Sequence, residues 1–501
     1  MGKLERNTFA NLGGTVWSVA IGLVSVPLCI RFLGAEAFGL TGLFLTLQSI
    51  FAVLDLGIGA TLNREIARLD ATGAAPAEQR DLVFTLQAVY WLIALGIGAA
   101  VFAFAPLIAT HWVRPQSLST DTVRVCVRMM GAAIALQFPF VFYQCGMLGL
   151  QRHVTFNTLS AVVATLRWPG TLLLLWLVSP KAPMFFAGQI AASAVGTAMM
   201  GMVFWRALPR GSSARFRREL LRRHWRFGAS YSANSLANLA LLQGDKVILS
   251  AMLPLSAFGY YTLAQRLANG LYAVIIAVDG AVFPRFSAVA ARGDEAALAR
   301  AYHRGCQIMA VLLMPLAAVT AFFSREILTL WTADAAAAAQ THLVLTLLVT
   351  GMLLHGVMHG PYYLQVAHDR WRLIARTNGI LLLTILPLYI VAADRYGAAG
   401  AAAVWVLLNA GYLVMVPLMH RELLTTQQRR WLFDDVVLPL TGAVVIAALA
   451  HVALPAHLGG LSLVAYLAVT GLLTAIAAAA LAPQIRRMIL PAPRIPEPDA
   501  A

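Results

Sequence analysis

The stretch that decides the fold is RALPRGSSARFRRELLRRHWR, residues 206–226, which lies near the middle of the chain and carries its densest run of charge. The only acid in this run is Glu219. Its arginines are Arg206, Arg210, Arg215, Arg217, Arg218, Arg222, Arg223 and Arg226. Apolar segments long enough to cross a bilayer flank this run on both sides. Arginines beside a membrane span are typical of a cytoplasmic connection that contacts anionic lipid, so we favour this interpretation over a nucleic-acid interface.

The composition indicates a membrane protein. The 501 residues are 60% hydrophobic and 12% charged, with a mean hydropathy of +0.74. A soluble globule has to cover itself with polar surface, which this composition does not supply. The net charge of +15 falls mostly in short connections between apolar segments, where positive charge sets orientation, so it does not indicate a nucleic-acid partner.

The apolar segments predict an all-α fold. Each is about 20 residues long, which is the length that a helix needs to cross ~30 Å of hydrocarbon. None shows the alternation of a barrel strand, and every backbone group has to be satisfied inside lipid, so we predict helices. We count fourteen spans: 10–32, 38–62, 83–105, 125–147, 157–178, 184–205, 228–252, 258–283, 305–324, 341–366, 374–393, 400–419, 436–454 and 461–482.

The distribution of Lys and Arg predicts the orientation of these spans. The connections on one side carry most of the positive charge, including the central run and both ends of the chain. The connections on the other side carry only a minority: Arg31, Arg114, Arg124, Arg128, Lys181, Arg325 and Arg395. Because cytoplasmic connections are enriched in positive charge, we predict that both termini and the central run are cytoplasmic.

An internal repeat is indicated at an offset of 220 residues. Ala37-Phe38-Gly39 then falls on Ala257-Phe258-Gly259, Tyr143 on Tyr363 and Arg152 on Arg372. The offset spans an even number of helices, so the two copies have the same orientation and are related by a pseudo-two-fold axis along the membrane normal. The predicted parts are an N-lobe of six spans (1–206), a basic linker (207–227), a C-lobe of six spans (228–420), two further spans (421–482) and a disordered cytoplasmic tail (483–501).

Several stretches resemble one family. They are NTFANLGGTVWSVAIGLVSVPLCIRFLGAEAFGLTGLFLTLQSIFAVLDLGIGATLNREIARL (7–69), GLQRHVTFN (149–157), GDKVILSAMLPLSAFGYYTLAQRL (244–267), FPRFSAVAARGDEAAL (283–298) and ILTLWTADA (327–335). Their order and spacing resemble the bacterial polysaccharide biosynthesis, or oligosaccharide flippase, family. That family shares a superfamily with multidrug and toxin extrusion exporters and with peptidoglycan lipid flippases.

The resemblance implies two six-helix lobes around a central cavity and transport by alternating access. It also implies a substrate, an undecaprenyl-diphosphate-linked oligosaccharide that moves from the cytoplasmic to the periplasmic leaflet of the bacterial inner membrane. Membrane lipids and the machinery of polysaccharide assembly are the expected partners.

Ionisable residues inside spans are costly and mark candidate sites: Asp55, Arg167, Asp245, Lys246, Arg266 and Asp279. Arg167 lies ten residues into its span, at a depth of ~15 Å near the midplane. Lys246 and Arg266 lie ~10 Å from the outer surface. We predict that these three cations bind the substrate diphosphate, although Lys246 and Arg266 could instead snorkel to the outer headgroups.

The acids have two open interpretations, as coupling residues or as structural ion pairs. Asp245 lies beside the cations and could pair statically with Arg266. Asp55 and Asp279 occupy nearly equivalent positions of the repeat close to the cytoplasmic interface, where capping or hydration could also explain them. His355 and His359 could form a proton relay or a metal pair, but with no acid nearby in the sequence we favour polar packing.

The sequence contains no phosphate-cradling GxxxxGK loop, HExxH motif or cysteine pair with metal spacing, so we expect no cofactor, no metal and no ATP-driven step through this chain. An ion gradient or downstream consumption of the product remains to drive transport. We predict a flippase rather than an enzyme. The alternatives are a multidrug exporter, whose cavity should be acidic, and a membrane polymerase or ligase, which would need a large outer loop with acid/base residues.

Overall fold

The computed structural model describes residues 3–73, 75–211, 214–455 and 457–489, which form helices joined by short connections. The first helices are α1 (Lys3–Ala52), α2 (Ile58–Ala71), α3 (Pro76–Leu107), α4 (Thr120–Gly149), α5 (His153–Thr165), α6 (Thr171–Leu177), α7 (Ala182–Ala207), α8 (Arg218–Met252) and α9 (Leu255–Ala290). The remaining helices are α10 (Glu295–Phe322), α11 (Ser324–Thr332), α12 (Ala335–Ala367), α13 (Trp371–Val414), α14 (Val416–Glu422), α15 (Gln428–Arg430), α16 (Leu438–Val452), α17 (Gly460–Leu481) and α18 (Pro483–Ile489).

The predicted fold class is confirmed. Among the described residues, 11 helical stretches are long and apolar enough to cross a membrane. Arg372–Glu422 contains two predicted spans and Ala20–Asp55 contains parts of two, because α1 and α13 each continue through one non-helical glycine. Gly34 has φ 78° and ψ 166°, and Gly397 has φ 59° and ψ −140°, conformations that favour glycine. The chain is therefore a multi-pass helical membrane protein.

Predicted span 2 is less regular than the sequence suggests. A 3₁₀ turn, Val53–Asp55, follows α1, and Leu56 and Gly57 then adopt left-handed conformations with φ 49° and 69°. Two successive left-handed residues cannot continue an α-helix. The continuous helix predicted over 38–62 is therefore wrong at its C-terminal end, where α2 begins separately.

Predicted span 5 is also interrupted. Between α5 and α6 the residues Leu166–Gly170 form one π-helical turn that contains Pro169. Proline lacks an N–H and cannot close the usual hydrogen bond four residues back, so the helix locally takes an extra residue into the turn. Arg167 lies on this turn.

The C-terminal end departs from the expected disordered tail. Residues 483–489, which the sequence analysis assigns to that tail, form α18. The backbone N–H of Gln484 donates a 2.7 Å hydrogen bond to the side-chain Oε1 of Gln307 in α10, which holds the start of α18 in place. The tail residues from 490 onward lie outside the described residues.

The chain divides into two compact units, Met1–Thr262 and Leu263–Ala501. In the first unit α4 packs on α3 and α7, and α8 packs on α1. In the second, α12 packs on α10 and α13, and α16 and α17 pack on α10. The division lies inside α9, whereas the predicted lobes are separated by the linker at 207–227, and the lobe boundaries stay a prediction.

Within the first unit, α1 and the start of α9 approach each other reciprocally. A Cβ atom on Gly39 would meet the carbonyl oxygen of Leu255, and one on Gly259 would meet the carbonyl oxygen of Ala35. Residues 35 and 255, and residues 39 and 259, are both 220 apart. Such exchange of partners is the pattern of a local two-fold contact, and it agrees with the repeat offset found in the sequence.

We expect that the close contact between α1 and α9 leaves no space for a side chain at Gly39 or at Gly259. Gly39→Ala and Gly259→Ala should each lower the thermal unfolding temperature of the purified protein, because the new methyl group meets backbone that cannot rotate away. Overpacking of this kind costs about 1–3 kcal/mol. Gly270→Ala in the same helix α9 is the matched control, since no heavy atom lies within 4 Å of the added Cβ. Equal stability of Gly259→Ala and Gly270→Ala would contradict the close approach.

The predicted topology can be tested at two exposed positions. Lys181 lies just before α7 and Arg210 just after it, and both are exposed. In a background whose native cysteines are replaced, Lys181→Cys should react with an impermeant thiol reagent in intact cells. Arg210→Cys should react only after the membrane is permeabilised. The reverse labelling would overturn the predicted orientation.

Candidate functional site

Asp245 in α8 is almost completely buried, with 2% of its surface exposed. Its carboxylate accepts a 2.5 Å hydrogen bond from the Tyr261 hydroxyl of α9 and a 2.9 Å hydrogen bond from Nζ of Lys246. Lys246 also donates to the carbonyl oxygen of Leu242 at 2.7 Å. Asp245 is thus paired with a lysine and a tyrosine, in a geometry typical of a structural ion pair.

Two further predictions concern Lys246 and Arg266, the cations close to Asp245 in the sequence. Lys246, predicted to bind the substrate diphosphate, is instead engaged by Asp245 in this structure. Arg266 lies further along α9, within the second unit. Both substrate-binding roles, and the pairing of Asp245 with Arg266, stay predictions.

Arg167 is close to the middle of the helical stretch His153–Leu177. The π-helical turn directs its carbonyl oxygen to Gln189 in α7, whose Nε2 donates to it at 3.4 Å and to the Thr171 hydroxyl at 3.3 Å. Nε of Arg167 is buried and has no hydrogen-bond partner in the described part of the chain. A buried guanidinium nitrogen without a partner is costly and calls for an anion or water to satisfy it.

Asp55 has a clear local role. Its carboxylate accepts a 3.1 Å hydrogen bond from the backbone N–H of Gly59, at the start of α2. The Tyr90 hydroxyl of α3 donates a second hydrogen bond at 2.7 Å. Asp55 therefore caps α2 and links it to α3, which is one of the two explanations that the sequence left open. A coupling role for Asp55 stays a prediction.

Asp279 lies against a histidine in the second unit. Its Oδ2 is 2.6 Å from Nδ1 of His359 in α12, and the two side chains are 12% and 14% exposed. The expectation that His355 and His359 have no acid nearby is therefore wrong. The reason is tertiary: Asp279 and His359 are 80 residues apart, and only the packing of α9 near α12 brings them together.

His355 lies one helical turn from His359, with their ring centroids 4.8 Å apart. Nδ1 of His355 is 3.0 Å from Oδ1 of Asn409 in α13. The amide nitrogen of Asn409 donates to the carbonyl oxygen of Trp405, which orients the amide so that its oxygen faces His355. His355 therefore donates from Nδ1.

A second histidine–acid pair was not predicted from the sequence. Nδ1 of His303 in α10 is 2.5 Å from Oδ2 of Asp435, and both side chains are completely buried. Gln307 donates to Oδ1 of Asp435 at 2.7 Å, and Gln427 lies 3.0 Å from Nε2 of His303. Asp435 immediately precedes predicted span 13 (436–454), and no sequence pattern singles it out.

No group of three or more His, Cys, Asp or Glu side chains within the described ranges is arranged to hold a metal ion.

We expect Asp245 to be needed for folding. Asp245→Asn should strongly lower thermal stability, because it leaves the Lys246 ammonium uncompensated, and breaking a buried pair costs about 3–5 kcal/mol. Asp245→Asn combined with Lys246→Met should recover part of the loss. The exposed pair Asp121 and Arg124, at 2.6 Å, provides the control, and Asp121→Asn should change stability little. Loss of transport with unchanged stability in Asp245→Asn would instead identify a coupling residue.

Comparison with known proteins gives a consistent family. A curated relative, "Putative O-antigen transporter" from Shigella flexneri, is 19% identical over 426 residues, which cover 80% of this chain and 94% of the relative. Among solved structures, "Lipid II flippase MurJ, inward closed conformation" matches with a TM-score of 0.72 at 11% identity, covering 97% of this chain and 99% of that chain.

A multidrug resistance transporter of the MATE family, in an inward-facing conformation, matches with a TM-score of 0.58 at 14% identity, covering 83% of this chain and 95% of that chain. At these identities the structural matches show the fold. The names of these proteins describe transporters and a flippase, not enzymes. The family described as "Polysaccharide biosynthesis protein" matches residues 4–290, more than half of the sequence. The chain belongs to this polysaccharide biosynthesis protein family.

Proposed function

We propose that the protein is a flippase for an undecaprenyl-diphosphate-linked oligosaccharide. It moves this lipid from the cytoplasmic to the periplasmic leaflet of the bacterial inner membrane, by alternating access, for the assembly of lipopolysaccharide or exopolysaccharide. Family membership, the name of the Shigella flexneri relative and the fold shared with a lipid II flippase support the proposal.

The substrate chemistry sets the main demand on the pathway. A diphosphate is negatively charged and cannot cross hydrocarbon unless fixed cations and hydrogen-bond donors replace its hydration. Arginine meets this demand best, because its guanidinium stays charged when partly desolvated and offers paired donors to phosphate oxygens.

The observation that carries the proposal is the state of Arg167. It combines a position near the middle of a membrane-spanning stretch, a π-helical turn and a buried Nε without a partner among the described residues. π-helical turns often occur at functional sites. We assign Arg167 to the diphosphate. Substrate binding by Lys246 and by Arg266 stays a prediction from the sequence.

The shared fold also admits a multidrug exporter, because a MATE family transporter matches most of the chain. An organic cation would need an acidic site near the midplane, whereas Arg167 supplies a cation there. A polymerase or ligase is disfavoured by the outer connections. Those at Gly34 and Gly397 are so short that single glycines interrupt otherwise continuous helices, leaving no room for an external catalytic domain there.

We expect a graded response at Arg167. In vesicles containing a fluorescent undecaprenyl-diphosphate-linked monosaccharide, flipping is measured by access of an impermeant quencher to the probe. Arg167→Ala should stop flipping, Arg167→Lys should retain part of it, and Arg167→Glu should abolish it. Each rate is normalised to inserted, folded protein.

Arg128→Ala is the matched control. Nε of Arg128 is also buried and has no hydrogen-bond partner among the described residues. Its guanidinium, however, lies over the Phe102 ring at 4.6 Å, and Arg128 is closer to the start of α4 than to its middle. This variant should flip the probe at the wild-type rate. Wild-type flipping by Arg167→Ala would show that the phosphate site lies elsewhere.

A further inference from the structure

We propose that Asp279 and His359 form a proton-binding site that couples transport to the proton gradient. The inference rests on the proposed transport function, and it assigns the coupling ion and its site. It follows from comparing the Asp279–His359 pair with two other buried acids, Asp245 and Asp435.

The three acids differ in what compensates their charge. Asp245 has Lys246 as its ion-pair partner at 2.9 Å, and a lysine side chain ordinarily binds its proton far more tightly than a histidine does. Asp279 has no lysine or arginine partner within the described ranges, and its ion-pair partner is His359. Histidine is the side chain that gains and loses its proton near neutral pH. The Tyr363 side chain also hydrogen-bonds to Asp279, so His359 is the partner that can add a positive charge to the pair.

The second contrast is with His303 and Asp435, which have the same chemistry. In that pair both carboxylate oxygens and both ring nitrogens have partners, and both side chains are 0% exposed. Asp279 and His359 keep 12% and 14% of their surface exposed. Nε2 of His359 has no hydrogen-bond partner among the described residues. The Asp279–His359 pair is therefore less enclosed than the His303–Asp435 pair, and it keeps a ring nitrogen that can bind a proton.

The surroundings favour uptake of a single proton. His355 lies 4.8 Å from His359 between ring centroids, so protonation of one imidazole opposes protonation of the other. The other titratable groups around the site are tyrosines, with Tyr272 on α9 and Tyr362 and Tyr363 on α12. On the α10 side, a small cavity lined by Asp279 is also lined by Cys306 and Asp435. From α13, Asn409 and Trp405 contribute neutral polar groups.

The proton balance is simple. Without the extra proton, neutral His359 and ionised Asp279 carry a net charge of −1; one proton taken up by the pair brings the net charge to zero. Inside a membrane the state with net charge −1 costs more free energy than the neutral state. It therefore favours a higher hydration of the pair than the neutral state does. Gain or loss of one proton thus changes the free energy of packing around the pair.

The helices that carry the pair are weakened next to it. Pro284 in α9 has no N–H for the carbonyl of Gly280, the neighbour of Asp279. Pro361 in α12 likewise leaves the carbonyl of Val357, between His355 and His359, without its helical hydrogen bond. Both helices can bend at these points more easily than elsewhere. A change in the strength of the Asp279–His359 contact therefore occurs next to the points at which α9 and α12 bend most easily.

Proton binding is tested first without any transported lipid. A pH-indicator dye measures the protons taken up when purified full-length protein in detergent is shifted from pH 8 to pH 5. The double variant Asp279→Asn/His359→Gln should take up about one proton fewer than the wild type, because the pair binds one proton. The matched control is the double variant Asp435→Asn/His303→Gln, which should take up as many protons as the wild type. Uptake by Asp279→Asn/His359→Gln equal to that of the wild type would overturn the proposal.

Coupling is tested in vesicles with the fluorescent undecaprenyl-diphosphate-linked monosaccharide. Wild-type flipping should accelerate under a transmembrane pH gradient. Asp279→Asn and His359→Gln should keep the rate measured at equal pH on both sides and lose the acceleration. Asp279→Glu should retain part of it. Unchanged acceleration in both Asp279→Asn and His359→Gln would refute the assignment.

Asp435→Asn and His303→Gln are the matched controls. Both variants should lower thermal stability. They should leave the acceleration per folded protein unchanged, because both ring nitrogens of His303 and both carboxylate oxygens of Asp435 already have partners. If wild-type protein fails to flip the probe even at equal pH, the proposed flippase function is refuted. The dye measurement then still decides whether Asp279 and His359 bind a proton.

Discussion

A carboxylate in a membrane-embedded helix has to be compensated, and this constraint accounts for the arrangement of the polar groups in both units. Asp245 meets a lysine and a tyrosine, Asp55 meets a helix start and a tyrosine, and Asp435 meets a histidine and a glutamine. In each case at least one of these partners lies on a second helix or helix start, as Tyr261 of α9 does for Asp245, so compensation of the charge also fixes how two segments pack.

Partner chemistry separates structural acids from responsive ones. A lysine fixes the net charge of its pair, whereas a histidine makes that charge depend on pH, and full burial with every lone pair engaged removes the dependence again. The same residue types therefore serve two purposes within one unit. His303 with Asp435 joins α10 to the segment before α16, while His359 with Asp279 links α12 to α9 at a more accessible place.

Much of the fold followed from hydropathy, because the length of an apolar run and the position of positive charge are local properties of the sequence. Hydropathy does not predict the breaks in spans 2 and 5, although Gly57 and Pro169 lie at these breaks. The reason is that a hydropathy window averages over single residues. The ionisable residues inside spans were found individually. Their partners were not, because contacts such as His359 with Asp279 join residues 80 apart and depend on packing that no spacing rule supplies.

The single-residue break at Gly34 has a mechanical consequence. With no loop between the two halves of α1, the second half has no slack relative to the first, and a rotation of one half is passed on to the other. Each added residue would turn the following helix by about 100° and advance it by about 1.5 Å. An insertion of one residue at Gly34 would thus move Gly39 off the face that meets Leu255, whereas an insertion in a long flexible connection would be absorbed locally.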